Sequence, residues 1–100
     1  MQTAYVPGKG KTIATKTLTG AIEQITTTRV PNVKGVIVQA DMGNASGTYV
    51  EVGFSDLTTG NGLQLGPGAS VPIEIDDVAK IYVIGAAGLK VRAVVVGAGG

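Results

Sequence analysis

Two adjacent carboxylates, Asp76 and Asp77, are the densest chemistry in this 100-residue chain. Glu74 lies two residues before Asp76, so in an extended strand the two share a face. Three carboxylates this close allow a weak calcium site, although no EF-hand-like spacing accompanies them. They suit equally an acidic turn at a strand end, where side-chain oxygens accept backbone N–H groups, and this is the preferred reading. As a paired acid and base for hydrolysis they are poorer, because no aromatic residues gather around them.

Other reactive patterns are incomplete. The chain has no histidine and no cysteine, which removes thiolate nucleophiles, disulfides, the usual zinc sites and the ordinary base for a serine or threonine hydroxyl. A serine–lysine pair through Lys80 or Lys90 stays open, but nothing in the spacing places one beside the other. Gly10, Lys11 and Thr12 imitate the end of a phosphate-binding loop, yet Tyr5 stands where that motif needs a glycine. Asn44, Ala45 and Ser46 match a glycosylation sequon and read as a plain loop in a chain with no secretory signal. The N-terminal lysines are sparse, and no stacking set of aromatics interleaves with them, so nucleic acid is not an expected partner. Tyr49 and Tyr82 fall on strand faces opposite the expected core, where they suit a protein contact better than a sugar site.

Short strands must position these residues. Val71, Ile73 and Ile75 alternate with Pro72, Glu74 and Asp76. Val50, Val52 and Phe54 are assigned to one face of the segment 48–54, with Tyr49 and Glu51 on the other. The run GVIVQA at 35–40 is nearly continuous in apolar residues, which predicts a central strand covered on both faces. Residues 80–84 (KIYVI) and 90–96 predict two more strands, the last with Val91, Ala93 and Val95 on one face. The Thr-rich segment 11–29 reads as strand, turn at Gly20, strand. Gly60, Asn61 and Gly62, then Gly66, Pro67 and Gly68, supply hard turns. No amphipathic helix of three turns, internal repeat or domain linker is visible. The expectation is an all-β fold: a compact antiparallel β-sandwich, jelly-roll-like, of about eight short strands over residues 11–97. An extended arm over 1–10 precedes it and a loose tail over 98–100 follows.

Composition narrows the functional classes. Charged residues are 15% of the chain against about 25% in an average soluble domain, and only 4% are aromatic. A surface this poor in charge suits a protein that covers part of itself with a partner. Net charge is +1, too small to steer the chain toward nucleic acid or membrane, and no run approaches the roughly 18 apolar residues of a membrane span. Residues 1–34 carry +4 and residues 35–100 carry −3, an asymmetry that would suit head-to-tail packing of copies.

The stretch GNGLQLGPGASVPIEIDDVAKIYV, at 60–83, resembles small virion proteins of tailed bacteriophages. The pieces that carry the resemblance are TYVEVG at 48–53, GLQLGPG at 62–68, the strand at 70–75, the acidic turn at Asp76 and Asp77, KIYV at 80–83 and VVVG at 94–97. It covers residues 33–97. The resemblance implies a non-enzymatic virion structural protein, a capsid decoration or cement protein that binds across subunits of the major capsid protein. It implies a homo-oligomer, a trimer for preference, with no cofactor, made in the bacterial host cytoplasm and located on the capsid surface. The alternative is a small tail, fibre or baseplate module that binds host-surface glycans through Tyr49 or Tyr82. Expected interface residues are Tyr5, Val6, Lys9 and Lys11 of the arm, with Tyr49 and Tyr82. Deleting residues 2–10 is therefore expected to leave the thermal melt unchanged while weakening binding to capsids, measured by co-sedimentation; full occupancy after the deletion would refute the arm's role.

Overall fold

Alternation of apolar and polar side chains decides where the strands run. The computed structural model of the chain describes residues 11–30 and 34–96. The expected arm and tail lie outside these residues, as does the Pro31-Asn32 pair, whose residue types predict a turn. Within them are eight strands: β1 (Lys11–Thr17), β2 (Glu23–Gln24), β3 (Gly35–Ala40), β4 (Val50–Gly53), β5 (Leu63–Leu65), β6 (Ser70–Ile73), β7 (Tyr82–Ile84) and β8 (Lys90–Val96).

The strands form two four-stranded antiparallel sheets packed as a sandwich, in the orders β1-β8-β3-β6 and β2-β7-β4-β5. The pairing is nested: β1 with β8, β2 with β7, β3 with β6 and β4 with β5. Only the β4–β5 connection stays within one sheet; every other connection crosses to the opposite sheet. Between the sheets lies an aliphatic core. Val36, Val38, Ala40, Val91, Ala93 and Val95 of the first sheet meet Val50, Val52, Leu65 and Val83 of the second. No aromatic ring enters it, so close packing is reached with β-branched side chains, which suit a pleated surface.

At one open edge the sheets are tied by charge. A β-bulge between Ile13 and Lys16 puts one extra residue into β1 and re-aims the strand. The Lys16 ammonium then meets Glu23 of β2, on the other sheet, at 2.9 Å. The Thr19 hydroxyl donates to the same carboxylate at 2.6 Å. The bonds from Thr19 and Lys16 hold the Glu23 carboxyl below its ordinary pKa.

Three local expectations need correction. β3 is central in its sheet but covered on one face only. Val36, Val38 and Ala40 are buried, while Ile37 is 43% exposed, because the second sheet lies on a single side. Phe54 does not join Val50 and Val52 in the core. β4 stops at Gly53, a turn closes from the Leu57 N–H to the Phe54 carbonyl at 2.9 Å, and Leu57 takes the buried place instead. Leu57 fits because its neighbours are glycines; a Cβ on Gly62 would stand 2.6 Å from Leu57 Cδ1. The strand expected over 80–84 is shorter. Val78–Lys80 forms a 3-10 turn capped by Asp77, and the strand starts at Tyr82.

The one-sided burial of β3 has a measurable consequence. Val38→Ala is expected to cost about 2 kcal/mol in urea unfolding, whereas Ile37→Thr should stay within about 0.5 kcal/mol of the parent. Equal losses at both positions would mean that the outer face of β3 is covered.

Candidate functional site

The connections collect at two ends of the sandwich with different chemistry. Connections 18–22, 41–49, 66–69 and 85–89 meet at one end. Leu18 N–H donates to the Leu89 carbonyl at 2.7 Å, and Gly88 N–H to the Leu18 carbonyl at 2.9 Å. Gly68 N–H donates to the Ala40 carbonyl at 3.0 Å. Asn44 bonds both polar groups of Lys90, its amide donating to the carbonyl at 3.0 Å and its oxygen accepting the N–H at 2.9 Å. The sequon asparagine thus acts as an extra rung that pins its loop to β8. The one charge in these four connections is Asp41, which directly follows β3 and is ion-paired with Arg92 of β8. Their surface is Gly, Ala, Ser, Thr and Pro, with Met42 79% and Tyr49 55% exposed.

The opposite end carries charge and a groove. Connections 25–30, 54–62 and 74–81 contain Arg29, Asp56, Glu74, Asp76, Asp77 and Lys80. Asp77 organises them. Its side chain is buried, and Oδ1 accepts the Ala79 N–H at 3.0 Å and the Val30 N–H at 3.1 Å, while Oδ2 accepts Arg29 Nε at 2.7 Å. Burial pushes its pKa up, but the bonds from Ala79, Arg29 and Val30 outweigh that and hold it below the ordinary carboxylate value. Asp76 turns outward to Lys80 Nζ at 2.8 Å, which lowers its pKa in turn. The two carboxylates therefore diverge, and Asp77 fills the turn role of the two readings of this pair. No group of three potential metal ligands converges among the described residues.

Above Asp77 opens a groove with a volume of about 840 Å³. Tyr82 forms part of its wall, between Gln24 of β2 and Gly53 of β4, and the glycine places no side chain against the ring. Phe54 and Ile75 add apolar surface from two different connections. Gln24 donates its amide to the Ala79 carbonyl at 2.9 Å, which aims the side chain along the groove. Arg29 and Lys80 stand at the rim, their side chains 73% and 57% exposed. Ser55 also borders the groove, but the Lys80 ammonium is held by Asp76, and no hydrogen bond joins it to Ser55 among the described residues.

The sequence-predicted interface residues are thus dispersed. Tyr5, Val6 and Lys9 lie outside the described residues, and Lys11 opens β1, paired with Val95. Tyr49 belongs to the charge-poor end and Tyr82 to the groove, level with Gly53 four residues further along β4. Gln24, Arg29 and Phe54 were not anticipated, because three separate connections bring them together.

The outer face of the first sheet offers a further apolar row, with Thr12, Val94, Ile37 and Pro72 side by side across all four strands. No protein-family model, curated protein or solved structure matches this chain.

The Asp77 arrangement predicts the pH response. A carboxyl whose folded pKa is depressed contributes stability above its unfolded pKa of about 3.9, and that contribution is lost as pH falls through the folded value. The parent is expected to lose stability below about pH 4. Asp77→Asn should cost about 1–3 kcal/mol at pH 7, since its amide faces the Arg29 donor, and should shrink the acid-dependent loss. Chemical denaturation of both proteins from pH 2 to pH 7 measures this; an unchanged pH slope would contradict the assignment.

Proposed function

We propose that this protein is a structural component of a tailed-bacteriophage virion, a decoration protein that docks on the major capsid protein in several copies and acts by contact rather than catalysis. The observation that carries the reading is the end of the sandwich whose four connections hold a single charge, Asp41, already neutralised by Arg92. Docking that end desolvates few ions, since Asp41 is paired with Arg92 and the exposed Lys90 at the start of β8 can keep its ammonium at the rim, and its small residues let another backbone approach closely. Met42 and Tyr49 supply exposed apolar and aromatic anchors of the kind that dominate interface energy. Three copies about a local symmetry axis would turn modest single contacts into avid binding, able to hold a pressurised shell.

Two further features support the reading. The resemblance to small phage virion proteins runs through 48–53 and 62–68, which border or enter the charge-poor end. The nested strand pairing fits a jelly-roll winding, an architecture used by viral capsid domains and also by lectins. Architecture alone does not choose between those uses. The tail, fibre or baseplate alternative has its own support in the groove beside Tyr82 and Phe54.

Antibody labelling of separated heads and tails distinguishes the two: the proposal expects signal on heads, and signal confined to tails would overturn it. Within the head, Met42→Asp should lower capsid occupancy by about tenfold or more without changing the melting temperature, because the side chain is 79% exposed. Undiminished occupancy would remove the charge-poor end from the contact.

A further inference from the structure

The groove at the charged end is built for a different ligand from the surface at the other. Its apolar components are two aromatic rings, Phe54 and Tyr82, with Ile75 beside them. Flat apolar faces of this kind stack against the C–H faces of a sugar ring. Around them stand groups that suit hydroxyls: the Gln24 carbonyl oxygen, left available when its amide donates to Ala79, and the Thr27 and Ser55 side chains.

The charges add selectivity. Asp77 is buried, so the ionic groups that border the groove in solvent are the cations Arg29 and Lys80, and the Lys80 ammonium is already paired with Asp76 at 2.8 Å, which leaves Arg29 as the cation with unspent donors. Arg29 spends only Nε on Asp77; its two terminal nitrogens have no protein partner among the described residues. That edge of the guanidinium has the planar two-donor geometry that matches a carboxylate. The Asp77 bond holds it in place, which reduces the entropy lost when a ligand binds.

We propose that this groove is a binding site for a carboxylated pyranose, stacked on Phe54 and Tyr82 with its carboxylate on Arg29. An acidic peptide fits less well. Peptides that add to a sheet use a row of free backbone groups, and the edge strand at this groove, β2, is two residues long. The proposal does not rest on capsid docking and applies equally to a head or a tail protein.

The test is an amide chemical-shift titration of the full chain with the methyl glycosides of glucuronate, galacturonate and N-acetylneuraminate. Methyl glucoside serves as the neutral control. At least one acidic sugar is expected to move the Gln24, Phe54 and Ala79 resonances and to bind about tenfold more tightly than the glucoside. Arg29→Lys, which keeps a cation for Asp77, should reduce that preference by about threefold or more. Phe54→Ala should weaken all the sugars together; the residue is 46% exposed and lies outside the core, so the fold should survive. Four results would overturn the proposal: no acidic sugar moves the groove resonances, the neutral sugar binds as tightly, Phe54→Ala changes nothing, or acetyl-Glu-Gly-Glu amide binds the groove more tightly than any sugar.

Discussion

One buried carboxylate holds the charged end of this sandwich together. A charge out of water is costly unless donors surround it, and Asp77 has three, drawn from two connections far apart in sequence. Its Oδ1 accepts two backbone N–H groups, so the side chain serves both as the cap of the 3-10 turn and as the clasp on the connection that follows β2. The clasp ties residues 29 and 30 to the 74–81 connection, alongside the packing of Val30 on the core, and so sets where Arg29 stands beside the groove.

The same chain solves its two ends differently. Where four connections meet, neighbouring turns bond directly through backbone groups, with Asn44 and the Asp41–Arg92 ion pair as side-chain links to β8. Where the other three meet, ion pairs and carboxylate caps do the joining: Asp77 with Arg29, Asp76 with Lys80, and Glu51 accepting the Gly60 N–H at 2.8 Å. The result is a molecule with one end suited to dry, close contact and another suited to a polar ligand. A two-sheet scaffold keeps the two apart, so each can serve without disturbing the other.

Much of the architecture was legible from alternation. Val91, Ala93 and Val95 point inward as their spacing requires, and the all-aliphatic core follows from having few aromatics to place. Errors arose where a tertiary neighbour overrode the local pattern. Phe54 continues the alternation of β4 on paper, but Gly53 and Gly62 leave room for Leu57, which fills the core in its stead. Ile37 looks buried in an apolar run, but only one sheet is there to cover it. The groove was invisible because Gln24, Arg29, Phe54 and Tyr82 are contiguous only after three connections converge. Charge placement separates the two ends only in part: connections 18–22, 66–69 and 85–89 carry none, but Asp41 opens the one that runs to Tyr49.

The position of β8 has a consequence for how the protein is made. It lies between β1 and β3, yet it follows every other described strand in chain order. Until β8 is made, β1 has no neighbour within its own sheet, and β3 has only β6. The β4–β5 hairpin closes the shortest loop and the β1–β8 ladder the longest, so assembly works outward from the middle of the chain. A nascent chain stalled before Lys90 would display two open strand edges, and it is the arrival of β8 that shuts them.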